Sequence, residues 1–222
     1  SICAKYSSWL FYVQYYINPM TDFFIKSDIS RNDAEKVVSE TLKNCDDGEL
    51  YLENSKTENI VLDDSKIKNS SYNSDIGYGL RAVTGEVIAY SHSNEISKNS
   101  LKNSSENLKS TLKSKKGTYN HSISKSNTKY YEDKNPIEEK SFSSKIKILE
   151  EIDKYTRSKN PNVKQVTANF LGEHKSVEII RAGGEILTDI RPLVRFNVSV
   201  VLEKNGKKET GVYGVGGRQS YE

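Results

Sequence analysis

Cysteine and histidine are scarce in this sequence. The 222 residues include two cysteines and three histidines. Cys3 and Cys45 lie far apart without metal-ligand spacing, which excludes a disulfide framework and a cysteine-based zinc module within the chain. The histidines, His92, His121 and His174, are scattered, so no local spacing assembles a zinc hydrolase site from them. The low cysteine content indicates a reducing compartment, and we expect a cytoplasmic protein.

The sequence also lacks an excess of one charge and a long apolar run. Lysine and arginine number 33 against 30 aspartates and glutamates, a net charge of +3, and both signs are spread along the chain. No single-sign field is available to hold nucleic acid or an anionic membrane. The apolar run from Trp9 to Ile17 is too short, and too interrupted by Gln14 and tyrosines, to span a bilayer. We therefore expect neither a nucleic-acid partner nor a membrane partner.

Two segments differ in composition from the rest of the chain. Residues 1–19 are aromatic with a single charge, and Met20, the only methionine, opens an ordinary polar sequence. Our hypothesis is that 1–19 is a non-native upstream segment; an aromatic arm packed on the domain is the alternative. The stretch from about 115 to 138 is rich in Ser, Asn and Lys and offers little to bury, which predicts a mobile polar insertion. Residues 20–222 then form the domain.

Runs of strands alternate with runs of helices along the remaining sequence. Capping residues and apolar spacing predict helices from Ser30 to near Cys45, around Ile96 to Leu112, and from Ser143 to Asn160. The apolar stripe of the last helix is Ile146, Leu149, Ile152 and Tyr155. Five short alternating runs between Glu49 and Tyr90, divided at Asp63-Asp64, Asn73 and Gly85, predict a meander. A second strand cluster follows, with separate strands from Lys164 to Phe170 and from Val177 to Arg181 and a hairpin signal at Asn205-Gly206. This order predicts an α+β fold with a mostly antiparallel twisted sheet covered by helices, and disfavours a doubly wound nucleotide fold.

The glycine motifs do not carry cofactor chemistry. Gly77-x-Gly79-x-x-Ala82 looks like a dinucleotide fingerprint, but the following residues, including Gly85, continue as strand and turn instead of helix. We interpret these glycines as structural, for a bend or a close backbone approach. The run from Gly211 to Arg218 lacks the Lys-Ser/Thr pair of a phosphate loop and leaves Arg218 as a candidate anion contact. His174 and Glu178 span a predicted turn into a strand and are predicted to lie on the surface.

Several longer motifs resemble one family. They are Asp75-Ile-Gly-Tyr-Gly-Leu-Arg81-Ala-Val-Thr-Gly-Glu, Thr188-Asp189-Ile-Arg191-Pro192-Leu-Val-Arg195-Phe-Asn-Val and Gly216-Gly-Arg. Together they resemble the N-terminal region of the TldD/PmbA family of zinc metallopeptidases, its TldD branch in particular. The resemblance implies a cytosolic enzyme that degrades or processes unfolded or extended peptides as a heterodimer with a PmbA/TldE-like paralogue.

The resemblance also defines what this sequence does not contain. The family motif is His-Glu-x-x-x-His with a later Cys ligand, and neither occurs in these 222 residues. We therefore assign no catalytic residue, no metal ligand and no cofactor to this chain, which we predict to be inactive alone; zinc belongs to the full-length family enzyme. The chain would form the substrate groove and the dimerisation surface, with the paralogue or a second copy as partner. A non-catalytic peptide- or protein-binding module or remnant, such as a gyrase-modulator-type regulator, is the alternative.

The candidate groove residues lie where an acid and two arginines flank Pro192. On the alternating strand that follows, Arg195 and Asn197 share one face while Val194 and Phe196 share the other. One hypothesis is a structural pair between Asp189 and an arginine. The other is that Arg191 or Arg195, with Arg218, anchors an extended peptide through the guanidinium donors. Gly77, Gly79, Arg81, Gly85, Asp189 and Pro192 are assigned to the structural motif.

Overall fold

The computed structural model describes residues 23–112, 116–118 and 130–219 of the chain. The predicted upstream segment, residues 1–19, and residues 119–129 of the predicted insertion lie outside this range. The helices are α1 (Arg31–Leu42), α2 (Lys98–Thr111), α3 (Pro136–Glu139) and α4 (Phe142–Lys159). The strands are β1 (Asp47–Asp63), β2 (Lys66–Thr84), β3 (Val87–Ser93), β4 (Val163–Arg181), β5 (Ile186–Lys204) and β6 (Lys207–Gly217).

All six strands belong to one sheet in the order β3-β2-β1-β4-β5-β6. β2 pairs antiparallel with β3, and β5 pairs antiparallel with β6. β1 and β4 also run in opposite directions, because Ala182 N–H donates to Gly48 O at one end and Asp64 N–H donates to Val166 O at the other. The prediction of an α+β fold with a mostly antiparallel sheet is confirmed.

The strands are longer than the sequence predicted. β1 and β2 each unite two of the predicted short strands, and β4 continues through the predicted break between Phe170 and Val177. The predicted break at Asn73 is wrong, because the polar side chains of this part of β2 are exposed while the backbone stays extended. Polar residues end a strand only where the backbone separates from the neighbouring strand. Between β1 and β2 this happens at the two-residue turn of Asp64 and Ser65, which both have positive φ.

The first of two compact units comprises the described residues up to Asn54, from Ile76 to Thr118, and from Ser176 to Asp189. α1 begins as predicted at Ser30, whose hydroxyl accepts a hydrogen bond from Asp33 N–H. α2 contacts α1 and β3. The core of this unit combines aliphatic side chains of both helices with those of the strands, namely Val38, Leu42, Leu101, Leu108, Leu50, Leu52, Leu80, Ala82 and Ile180.

The second compact unit comprises Ser55–Asp75, the described residues from Tyr130 to Lys175, and those from Ile190 onward. Its core joins Leu149 of α4 to Ile60, Leu62, Ala168, Phe170 and Val194 of the sheet. The helix begins earlier than predicted, with Ser141 as its N-cap instead of Ser143. Tyr155, predicted on the apolar stripe, is 63% exposed, and the buried side of the helix carries Lys145, Leu149 and Asp153.

Candidate functional site

The β5–β6 hairpin carries the candidate groove residues. Asn205 and Gly206 have φ values of 55° and 77°, which together give the mirror-image turn that joins two antiparallel strands most tightly. The predicted Asn-Gly hairpin is thus confirmed. From this turn the two strands stay in register from the pair Lys204–Lys207 to the pair Val194–Gly217. The turn therefore fixes the register of every later pair.

β6 is the last strand of the sheet, and within the described part of the chain only β5 pairs with it. A two-residue turn is closed by a hydrogen-bonded pair, here Lys204 with Lys207, and such pairs alternate with non-hydrogen-bonded pairs along the ladder. Every second residue of β6 must therefore direct its N–H and C=O away from β5. These residues are Lys208, Thr210, Val212, Gly214 and Gly216.

The same alternation of hydrogen-bonded and non-hydrogen-bonded pairs explains how β5 accommodates a proline. The sequence predicted a strand from Leu193 onward, but β5 runs continuously through Pro192, which is buried. Even-numbered residues of β5 direct their backbone N–H and C=O toward β6. Counted from the turn, the last of these residues with a partner on β6 is Val194, which lies opposite Gly217. At Pro192 the neighbouring strand has ended, so the missing N–H of proline removes no ladder hydrogen bond.

Arg195 and Asn197 lie on one face of the hairpin, opposite two glycines. Arg195 pairs with Gly216 and Asn197 pairs with Gly214. Nε of Arg195 donates a hydrogen bond to Oδ1 of Asn197 at 3.0 Å. A Cβ atom on Gly214 would stand 2.7 Å from this Oδ1 and 3.8 Å from Nη2 of Arg195. The polar side chains of β5 therefore occupy the space that a β6 side chain would otherwise fill.

The opposite face of the hairpin is apolar. Val194 is buried, and the Phe196 ring lies 5.1 Å from that of Phe170, centroid to centroid. On β6 the same face continues with Tyr213 and Val215, which are 70% and 56% exposed. The core of the second unit therefore covers the β5 side of this face and leaves the β6 side in solvent.

The remaining candidate residues do not converge on Arg195. Arg191 is half-buried on β5, on the same strand face as Arg195 but about 13 Å away along an extended chain. The Arg218 guanidinium lies over the Tyr131 ring, 5.5 Å from its centroid. Asp189 is half-buried on β5. Among the described contacts, the hydrogen bond to Asn197 is the one that positions Arg195.

The glycines that the sequence analysis assigned to a structural motif lie in the first unit. Gly77 and Gly79 are inside β2, and the turn at Gly85, with φ of 58°, leads into β3 instead of a helix. A Cβ atom on Gly77 would stand 2.7 Å from Ser93 O, and one on Gly79 would stand 2.5 Å from Oη of Tyr90. Both positions therefore bring another group close to the β2 backbone, without the helix N-terminus that a dinucleotide requires.

Arg81 belongs to an ion-pair cluster of the first unit. Its guanidinium contacts Asp47 at 2.7 Å and Glu49 at 3.1 Å, and Arg181 contacts Asp47 at 3.1 Å. Burial alone raises the pKa of Asp47, but hydrogen bonds from Arg81 and Arg181 outweigh it and hold that pKa below its ordinary value. Arg81 and Arg181 therefore share one carboxylate, that of Asp47.

Sequence reasoning missed a buried ion pair in the second unit. Nζ of Lys145 contacts the Glu58 carboxylate and donates to Ile137 O, at the helical turn α3. The pair was not visible as a motif because 87 residues separate its members. The available signal was the position of Lys145 four residues before Leu149, on the buried stripe of a helix.

The prediction that His174 and Glu178 lie on the surface is wrong. Both are in β4, and their exposed fractions are 2% and 1%. Burial, followed by the positive charge of Lys56, lowers the pKa of His174 below 6.5, although Glu138 and Asp133 oppose this shift. Arg31 contacts the Glu178 carboxylate at 3.0 Å. The predicted turn is absent, so alternation along one long strand directs both side chains inward.

The residues that the structure describes do not fit a zinc ion. Within residues 23–112, 116–118 and 130–219, no three His, Cys, Asp or Glu side chains are grouped as metal ligands. His92 is stacked on Tyr90, and His174 is buried in β4. No described helix combines the length and apolar character that a bilayer crossing needs.

Two family models match most of the chain. The one described as PmbA/TldA metallopeptidase domain 1 matches residues 48–114, and the one described as the PmbA/TldA metallopeptidase central domain matches residues 135–222. The chain belongs to the PmbA/TldD metallopeptidase family. The resemblance that the sequence motifs indicated is thereby confirmed.

Curated relatives agree with this assignment. A metalloprotease TldD homolog of Haemophilus influenzae is 35% identical over 182 residues, covering 79% of this chain and 37% of the relative. One from Buchnera aphidicola subsp. Schizaphis graminum is 31% identical over 198 residues, covering 88% and 41%. The chain thus spans about two fifths of the length of these PmbA/TldD relatives.

Solved structures share the fold at low identity. A proposed modulator of DNA gyrase from Thermotoga maritima matches with a TM-score of 0.69 at 10% identity, covering 85% of this chain and 42% of that one. TldE from Thermococcus kodakarensis matches with a TM-score of 0.63 at 13% identity, covering 84% and 42%. Both structures support the fold of the described residues.

Proposed function

We propose that this chain is the part of a cytoplasmic, TldD-like zinc metallopeptidase that binds extended peptides, while ligands outside these 222 residues hold the metal. Family membership supports the hydrolase assignment. This chain matches about two fifths of each relative. We place the metal site in the larger part of the family protein that the match does not cover.

The observation that carries the proposal is the open edge of β6. Its eleven residues are almost entirely exposed, and alternate backbone groups face away from β5. An extended peptide can pair with such an edge as an additional strand, receiving main-chain hydrogen bonds whatever its sequence. This mode suits unfolded peptides, because main-chain groups are common to all of them.

A proline at an outward position tests this mode. Val212 N–H faces away from β5, so Val212→Pro removes one donor from the edge without removing a β5–β6 hydrogen bond. We expect the variant to fold normally and to bind a fluorescently labelled extended peptide at least tenfold more weakly in a polarisation titration. Val212→Thr keeps the N–H and is the matched control. Undetectable peptide binding by the wild-type chain, or equal affinity for Val212→Pro, would contradict the proposal.

For the dimerisation role we propose the uncovered apolar face of β6, with the PmbA/TldE-like paralogue as its occupant. Tyr213 and Val215 continue the core face beyond Val198 and are more than half exposed. Light scattering of the chain, alone and mixed with the paralogue, tests this assignment. A 1:1 complex that Tyr213→Glu abolishes supports it. A dimer of this chain alone, or a complex that Tyr213→Glu leaves unchanged, overturns it.

A non-catalytic binding module is the second candidate, since it would use the same peptide-binding edge. The two candidates differ in what the gene encodes after residue 222, because a metallopeptidase of this family would carry His-Glu-x-x-x-His there. Sequencing the region downstream distinguishes them, and a stop codon directly after Glu222 would favour the binding module.

A further inference from the structure

We propose that Arg195 makes this edge selective for peptides with an acidic side chain at the position that pairs with Gly214. The inference rests on the proposed function and deepens it, because main-chain pairing alone discriminates poorly between sequences. Arg195 and Asn197 would be specificity-determining residues of the peptide site. The ligand is an extended peptide carrying Asp or Glu at one defined position.

The inference depends on where the Arg195 guanidinium lies relative to Gly214. The hydrogen bond from Nε to Asn197 Oδ1 at 3.0 Å directs the Arg195 side chain along β5 from the level of Gly216 toward that of Gly214. Nη2 consequently lies 3.8 Å from the place where a Cβ atom of Gly214 would stand. The guanidinium thus lies beside Gly214, which has no side chain to separate it from the sheet edge.

Gly214 is also a residue at which an added strand would pair. Its N–H and C=O face away from β5, so in an added antiparallel strand one peptide residue lies directly opposite. Directly opposite residues direct their side chains to the same face, and adjacent strands lie about 4.8 Å apart. The side chain of that peptide residue would therefore enter the space above Gly214, within reach of Arg195.

The charge of this space favours a carboxylate. Arg195 is exposed, and among the described ion pairs none joins it to an acidic side chain. Asn197 uses one of the five guanidinium N–H donors, which leaves the Nη groups for a ligand. A carboxylate accepts such charge-assisted hydrogen bonds more strongly than an amide, so glutamate should bind better than glutamine. A lysine in the same place would be repelled.

A peptide scan with charge reversal tests the inference. A labelled peptide of neutral polar residues receives Glu, Gln or Lys at each position in turn, and its affinity for the full 222-residue chain is measured by fluorescence polarisation. We expect about tenfold tighter binding of Glu than of Gln at one position, with weakest binding of Lys. Arg195→Gln should abolish this preference, and Arg195→Glu should invert it toward Lys.

Two glycine variants supply matched controls. Gly214→Ala places a Cβ atom 2.7 Å from Asn197 Oδ1 and should reduce the preference, whereas Gly211→Ala meets nothing within 4 Å and should leave it unchanged. Equal affinities for Glu and Gln at every position, or a preference that survives in Arg195→Gln, overturn the inference and leave the peptide-binding proposal intact. Absence of binding to every peptide overturns both.

Discussion

Lys145 of α4 is ion-paired with Glu58 of β1, and the exposed fractions of the two side chains are 2% and 11%. The ammonium group also donates to Ile137 O at 2.5 Å and lies 5.6 Å from the centroid of the Phe170 ring. One buried charge therefore joins α4, the short helix α3 and the sheet of the second unit. An isolated charge at this depth would be strongly destabilising, so each partner depends on the other.

We expect Lys145→Met to lower the free energy of unfolding by about 3–5 kcal/mol, because it leaves the Glu58 carboxylate buried without its partner. Urea denaturation of the purified chain measures the loss. The double variant Lys145→Met/Glu58→Leu should recover much of it, since apolar side chains can replace a buried pair. Lys102→Met, in an exposed pair with Glu106, is the control and should change stability by less than about 0.5 kcal/mol. A loss of similar size in both single variants would contradict the prediction.

We expect stability to fall as the pH drops below about 6.5, with His174 as one cause. Burial lowers the pKa of His174 in the folded chain, while in the unfolded chain the pKa stays near 6.5. Below pH 6.5 the unfolded state therefore binds a proton that the folded state does not, and the free energy of unfolding decreases toward the folded pKa. His174→Gln should flatten this dependence between pH 7.5 and 5.5. Parallel pH profiles for wild type and His174→Gln would count against it.

We expect Gly77→Ala to be more destabilising than Gly79→Ala. The added methyl group at Gly77 meets the backbone oxygen of Ser93, which cannot move without distorting β3. At Gly79 it meets the end of the Tyr90 side chain, which is 64% exposed and can rotate away. Thermal and urea unfolding should show a loss of about 1–3 kcal/mol for Gly77→Ala and less than about 1 kcal/mol for Gly79→Ala. A larger loss of stability for Gly79→Ala than for Gly77→Ala would contradict the prediction and show that the Tyr90 side chain does not rotate away.

We expect the chain to retain less than stoichiometric zinc after dialysis, and a chelator to leave its melting temperature unchanged. A catalytic zinc site needs at least three protein ligands, and no such group occurs among the described residues. Metal content by mass spectrometry and melting curves with and without EDTA check this. One tightly held zinc ion per chain would mean that residues outside the described ranges complete a site.

The fold class followed from the sequence because it depends on local patterns. The cap at Ser30 and the turn at Asn205-Gly206 each depend on a few adjacent residues, and the structure contains both. The strand ends did not follow, because Asn73 favours a turn in isolation but stays extended where a neighbouring strand pairs with its backbone.

The buried polar residues could not be predicted for a different reason. Lys145 and Glu58 are compatible with burial only because each neutralises the other, and no pattern near either residue reveals the distant partner. At the hairpin, alternation predicted which face carries Arg195 and Asn197. The position of the guanidinium beside Gly214 depends on the register that the Asn205-Gly206 turn imposes.

The order of the strands has a kinetic consequence. β1, β2 and β3 are joined by short turns, as are β4, β5 and β6, so each set of three can form from local contacts. Pairing of β1 with β4 instead brings together residues such as Asp47 with Arg181 and Asp63 with Gln165, which are 134 and 102 positions apart. Non-local pairing of this kind slows folding to the range of about milliseconds to seconds. We therefore expect each three-stranded meander to form early in refolding and the β1–β4 ladder to close last.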